Sequence, residues 1–460
     1  MVRNLSPKEV AQLASATPWW WKEYPERDCE YVRWYPPTLT AEAAERVWVD
    51  PPAAPPPDEF GVYIHFPFCA TLCSFCPFQR TLLRPGLKEE YLKTLMAEIE
   101  MYGRTGYFSG PAAFVYFGGG TPSLMGPDGV ETLLEALSRW FRLTADAEVT
   151  LEAHPRSVDP EAIGDLRRAG VTRFSLGLQS FQDSMLSGLG TTHDSAQGRA
   201  VVEAALGAGF GSVSLDLLFR LPGQDLGLWE KDLAAVTSLG VPHVSCYSLV
   251  LDPDSPLQKA LNRRAAPPLP DEETDVAMSE MAFARLGVAG YRPYVLCSSS
   301  GWSFARPGHE CRYDLRQWAA PQEQFLGLGV SSYGFARGFV TANTGSHTRY
   351  HRDVRAGRFP LAGAVRLTRE EAMCRYAVLG CKTGVLDKRP FRKEFGLDLG
   401  DVFGPAVTQL AQWGLVTDGA EAITVTDRGR LYIDNISKAF YSPAMKRRPQ
   451  LFQGGEPDEA

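Results

Sequence analysis

Residues 62–77 read VYIHFPFCATLCSFCP. The first half, Val62 to Phe68, is an apolar, β-rich run that leads directly into Cys69, Cys73 and Cys76, at spacings of four and three. Three thiolates so placed can converge on one metal centre from a single loop. A structural zinc site normally takes four ligands, often as two close pairs, and the next cysteine after Cys76 is Cys246. Three local thiolates suit three irons of a [4Fe–4S] cubane and leave the fourth iron open to a further ligand. Leu72 and Phe75, between the cysteines, are expected to keep water from such a cluster. Buried free thiols at a strand end and a zinc site are the weaker readings.

Outward from this loop the chain repeats itself. AFVYFGG (113–119), EVTLEAH (148–154), RFSLGLQS (173–180), SVSLDLLF (212–219) and HVSCYSLVL (243–251) are further strand-like runs, separated by helical stretches such as LKEEYLKTLMAEIEMY with apolar residues three and four apart. Six strands alternating with helices predict an α/β fold, a partial (β/α)6 barrel with a parallel sheet and right-handed crossovers, followed by a helical or winged-helix module. Chemistry then belongs at the C-terminal ends of the strands. There the second strand ends in Gly118-Gly119-Gly120-Thr121-Pro122, where glycines let backbone approach a ligand. Glu152, Gln179 and Asp216 fall at or near the ends of the next three strands and suggest a lined pocket. Each alone could equally be a helix cap or a satisfied core group. His154 and His193 lie in similar places and, with Tyr333, are candidates for catalytic work.

The 460 residues, 44% hydrophobic and 22% charged, have ordinary globular composition, and a formal charge of −7 advertises no nucleic-acid surface. No apolar run reaches the ~18 residues of a membrane span, so a cytoplasmic protein is expected. Nine irregularly spaced cysteines argue against a disulfide framework. The organisation expected is an N-terminal extension over 1–57, with Trp19, Trp20 and Trp21 and the Pro-rich PPAAPPPDE. The barrel follows over 58–290, a connecting segment over 291–365, a winged module over 366–440, and a tail over 441–460. Without a basic face, the winged module reads as a structural lid rather than a DNA reader.

Taken together, YIHFPFC, FGGGTPS, LGLQSF, DLLFRLPGQ, GLGVSSYG and the terminal TDRGRLYIDNI resemble the oxygen-independent coproporphyrinogen III oxidase family, the HemN-like radical SAM (S-adenosylmethionine) proteins, from about residue 60 to 440. The resemblance implies a radical SAM barrel with a HemN-type C-terminal domain. It also implies a [4Fe–4S] cluster on Cys69, Cys73 and Cys76, and two SAM molecules. Tyr63, Gly119, Glu152 and Tyr333 would contact the first SAM. Phe75, Gly120, Thr121, Gln179 and Asp216 would surround the second, although the family's arginine appears here as Thr191.

Three branches of the family compete. Coproporphyrinogen oxidases carry Gly-Cys after the third cluster cysteine, where this chain has Pro77-Phe78. Haem-chaperone members carry HNxxYW, where this chain, after His309-Glu310-Cys311, has Tyr313-Asp314-Leu315-Arg316-Gln317-Trp318. Exclusion favours the class C methyltransferases and cyclopropanases of natural-product pathways such as antibiotic biosynthesis. In such an enzyme one SAM yields a 5′-deoxyadenosyl radical, and the other a methylene radical that adds to an sp² carbon. A small-molecule substrate and a flavodoxin- or ferredoxin-type electron donor are the partners expected. A haem chaperone and a coproporphyrinogen oxidase are the alternatives.

Overall fold

The structure is a computed structural model that describes residues 39–52, 54–297, 301–320 and 324–442. The Trp19–Trp21 run lies outside the described residues. Six strands form the parallel centre: β1 (Phe60–Phe66), β2 (Pro111–Gly119), β3 (Arg142–Ala153), β4 (Arg173–Gln179), β5 (Ser212–Phe219) and β6 (His243–Ser248). They are the six runs expected from the sequence. Their neighbours are β7 (Arg292–Cys297), β8 (Gly301–Ala305), β9 (Phe325–Leu328), β10 (Tyr333–Ala336), β11 (Phe339–Asn343) and β12 (Leu361–Arg366). The twelve-stranded sheet runs in the order β12-β11-β10-β9-β1-β2-β3-β4-β5-β6-β8-β7. Pairing is parallel from β9 through β6 and antiparallel beyond both ends. The segment expected as a connector over 291–365 therefore supplies strands at both edges of the sheet.

The crossovers are α1 (Leu87–Arg104), α2 (Gly126–Trp140), α3 (Pro160–Arg168), α4 (Ser195–Gly207) and α5 (Leu226–Leu239), with α6 (Glu272–Val288) before the edge hairpin. Asp159, Asp194, Asp225 and Asp271 cap the last four of these by accepting a backbone N–H three residues on, each cap contributing ~1 kcal/mol. In α1, Tyr91, Leu95, Ile99 and Tyr102 form one buried stripe against the sheet, and full burial of an aliphatic side chain there is worth about 2 kcal/mol. Trp229 of α5 is fully buried and donates its indole N–H to Met278 O of α6 (2.9 Å).

The C-terminal module comprises α7 (Arg369–Gly380), α8 (Lys388–Phe395), α9 (Leu399–Gln412) and α10 (Ile433–Ala439) around β13 (Val385–Asp387), β14 (Val416–Asp418) and β15 (Ala422–Val425). Its sheet order is β13-β15-β14, all antiparallel. The winged module expected over 366–440 thus carries a three-stranded sheet, one strand of which, β13, has only three residues. Among the described residues no helix is long and apolar enough to cross a membrane.

Candidate functional site

The cysteine loop leaves β1 and is stitched down on both sides. Phe68–Cys69 pairs in parallel with Thr81–Leu82, and Leu83 N–H donates to Cys69 O (2.9 Å). From the glycine turn after β2, Gly120 N–H donates to Phe66 O (2.7 Å) and Thr121 N–H to Phe68 O (2.8 Å). A Cβ on Gly120 would lie 2.6 Å from Phe68 O, so only glycine permits this seam. Gly119 has φ 117° and packs against the His65 ring, which a Cβ would meet at 2.7 Å.

Arg80 gathers the far side of the loop. Its guanidinium donates to Cys73 O (2.9 Å), Cys76 O (2.5 Å) and Phe78 O (2.9 Å). Ser74 Oγ donates to Leu189 O (2.7 Å), and Phe75 is buried among Met185, Leu189, Leu218, Leu221, Leu249 and Leu257. Leu72 is about half exposed and so does not shield the thiols as expected, whereas Phe75, expected to do the same, is buried.

Burial pushes all three thiols up, Cys73 to about 11 with repulsion from Cys76 and Cys69 added. Thiolates here are costly unless a cationic centre binds them. Among the described residues no set of three His, Cys, Asp or Glu groups closes around a single ion. Each thiolate of a cubane binds a different iron, so a cluster needs no such tight set. Donor type, spacing and the backbone seam fit an iron–sulfur cluster.

Beside the loop, β1, β4, β5 and β6 are buried except at one or two positions, whereas β3 is buried only along its second half. In β1 the exception is Tyr63, in β5 Asp216 and in β6 Tyr247; in β2 it is Tyr116, midway along. Tyr63 lies level with Tyr116 in the sheet, as Gly177 does with Asp216. Tyr313 joins the column, its ring centroid 5.3 Å from Tyr63 and 4.5 Å from Tyr116. Glu152 accepts from Tyr116 Oη (2.7 Å) and from Gly119 N–H (3.1 Å). Burial pushes its carboxyl up to about 7, those two donors opposing. Asp216 is pushed to about 8 by burial and then by the neighbouring Glu152 and Asp314, against Arg173 and Ser245.

Gln179 ends β4 with φ 72°, a left-handed backbone that turns the chain out of the sheet at the mouth. His154 follows β3, and its ring meets that of His193 edge-on at 4.9 Å. Burial pushes both down, His154 to about 4 with His193 and Arg156 adding to the effect. Thr191 Oγ lies 3.1 Å from Leu186 O and 3.3 Å from His193 O, finishing the Asp183–Leu189 helix rather than presenting a charge. Tyr333 opens β10 and pairs with Ala342; its backbone packs on Gly327, the partner of Tyr63 in the sheet.

The structure thus brings Tyr63, Gly119, Gly120, Thr121 and Glu152 to the cysteine loop side, with Phe75 tucked beneath. Sequence reasoning missed Tyr116, Tyr247 and Arg80. The rule that found Asp216, one polar residue in an apolar strand, would have found both tyrosines. Tyr313 and Asp314 were read only as departures from a motif, although Tyr313 stacks in the lumen and Asp314 accepts from Tyr294 Oη (2.9 Å).

The radical SAM superfamily model matches residues 63–234. "Heme chaperone HemW" of Bacillus subtilis is 30% identical over 381 residues, covering 82% of this chain and 98% of the relative. The protein of that name from Mycobacterium tuberculosis (strain H37Rv) is 33% identical over 396 residues, covering 84% and 96%. The solved structure of the coproporphyrinogen III oxidase HemN from Escherichia coli superposes with a TM-score of 0.76 at 25% identity, covering 89% of this chain and 96% of that one.

These findings overturn the expected assignment to class C methyltransferases or cyclopropanases. That assignment rested on the absence of two short signatures, and near full-length similarity to haem chaperones outweighs those local departures. The radical SAM match implies a [4Fe–4S] cluster and SAM. With its barrel, C-terminal module and length all matched, the chain belongs to the HemN-like family of radical SAM proteins.

Proposed function

We propose that this chain is a haem-handling radical SAM protein of the haem-chaperone kind. The observation that carries the reading is its similarity, over nearly their whole length, to relatives named for that role. Cys69, Cys73 and Cys76 would hold the [4Fe–4S] cluster, and Tyr63, Gly119, Glu152 and Tyr333 would contact SAM. The cluster, when bound, supplies one-electron chemistry to SAM. The chain's own contribution is positional: the Gly119–Gly120 seam brings backbone to the ligand, and Glu152 offers a carboxyl to an amino group. A second SAM on the side of Phe75, Gly120, Thr121, Gln179 and Asp216 stays part of the proposal, with Thr191 in place of an arginine for its carboxylate.

Leu72 and Phe78 leave about half their surface open on the cysteine loop, with Leu82 beside them, an apolar rim suited to the face of a flat macrocycle. Tyr313 stands where the haem-chaperone stretch carries histidine and is stacked inward, so position 313 would not supply an iron ligand. The eight free cysteines among the described residues suit a reducing compartment such as the cytoplasm, where a flavodoxin- or ferredoxin-type donor would supply the electron.

Haem titration of the cluster-loaded and cluster-free protein tests the reading. Saturable binding with a Soret shift is expected in both. Failure of haem to bind either form, together with CO₂ release from coproporphyrinogen III, would instead establish the oxidase reading that the HemN superposition favours.

A further inference from the structure

Where the barrel meets the C-terminal module, three buried groups take no part in the site at the strand ends. Cys297 ends β7, Lys382 lies in the 3₁₀ turn after α7, and Asp434 belongs to α10. Lys382 Nζ forms an ion pair with Asp434 Oδ1, and their side chains are 0% and 4% exposed. The same Nζ is 3.8 Å from Cys297 Sγ, which in turn is 4.0 Å from Asp434 Oδ2. A buried ion pair is seldom a gain over a well-packed apolar contact. Stability alone therefore does not account for an amine and a carboxylate closed around a thiol. The arrangement supplies the parts of a lysine–cysteine bond: sulfur and nitrogen side by side, and a carboxylate to take the ammonium proton.

We propose that Cys297 and Lys382 form a covalent modification site at which dioxygen joins Sγ to Nζ through one oxygen atom, tying the C-terminal module to the edge of the barrel. Asp434 first takes one proton from the ammonium. Thiol, neutral amine and O₂ then give the S–O–N bridge and one water. The S–H bond, one N–H bond and the O–O bond break, while S–O and O–N bonds form. Sulfur and nitrogen each give up two electrons, and the four reduce O₂. The product is a thiol-reversible crosslink between segments far apart in sequence.

The test uses the full chain, reduced anaerobically with dithiothreitol, freed of reductant and divided. One half is exposed to air; both are denatured with N-ethylmaleimide, digested with trypsin and analysed by mass spectrometry. In the aired sample Cys297 should lose its label and cleavage after Lys382 should disappear. A linked peptide pair should appear at the summed mass plus one oxygen minus two hydrogens, reverting with dithiothreitol. Cys246 and Cys311, buried in the barrel, should label equally in both halves. Lys382→Arg should abolish the linked pair; should that variant fail to fold, the wild-type comparison decides alone. Full labelling of Cys297 after air, or loss of its label with cleavage at Lys382 intact, would overturn the proposal.

Discussion

Glu152 illustrates how much one side chain's surroundings set its task. Its carboxyl sits at about 7, against an ordinary 4.5, because burial penalises the charge more than Tyr116 and Gly119 support it. A ligand that brings an ammonium group to it meets a neutral acid below that value and a carboxylate above it. SAM affinity should therefore strengthen as pH rises from 6 to 8, and Glu152→Gln should flatten the profile and weaken binding about tenfold, the order of a lost charge-assisted hydrogen bond. Isothermal titration at several pH values checks this; a variant profile as steep as the wild type's would remove Glu152 from the ligand. The raised value has an opposite consequence for stability. The folded chain keeps a proton that the unfolded chain releases, so this contribution is full below about pH 4.5 and is lost as pH rises through 7.

At the scale of elements, the barrel-lengthening strands hang on one carboxylate. Glu98 in α1 accepts from Gly329 N–H after β9 (2.8 Å), Asn343 Nδ2 at the end of β11 (2.8 Å) and Tyr350 Oη in the His347–Arg355 helix (2.6 Å). Glu98→Ala would take the acceptor from three buried groups at once, only Asn343 Nδ2 keeping another in Gly329 O (2.9 Å), a loss of roughly 3–5 kcal/mol. Urea unfolding measures it directly; a loss below about 1 kcal/mol would show that the strands are held by packing instead. Nothing in the sequence signals this clamp. Glu98 sits in a helix rich in glutamates, and its partners lie more than two hundred residues away. The six central strands were legible because both faces are buried, in β3 only along its second half, which writes an apolar run into each. The strands β9 to β12 are only four to six residues long, and such short strands take their pattern from the neighbours they pack against rather than from local periodicity. The cysteine loop and glycine turn were legible for the opposite reason: their chemistry admits few residue types. The branch of the family was not, because a motif's absence says little about the other four hundred residues.

For the molecule as a whole, the question is whether the cluster is a staple or a passenger. Small metal-bound domains fold only with their metal because they lack an adequate core. Here one continuous core links the central strands, the crossover helices and the C-terminal module. The cysteine loop has its own anchors in Phe75, Arg80, Ser74 and the Gly120 seam. Replacing Cys69, Cys73 and Cys76 together by alanine removes the proposed iron ligands but none of these anchors. The triple variant should carry no iron or sulfide and lack the brown chromophore. Its urea unfolding transition should stay within about 1 kcal/mol of the cluster-free wild type, the scale of a mild substitution. Retained iron–sulfur absorbance would remove the three cysteines as ligands. Loss of the cooperative transition would show that the thiols hold the fold itself, making the loop a structural element rather than a cofactor cradle built on a barrel that stands without it.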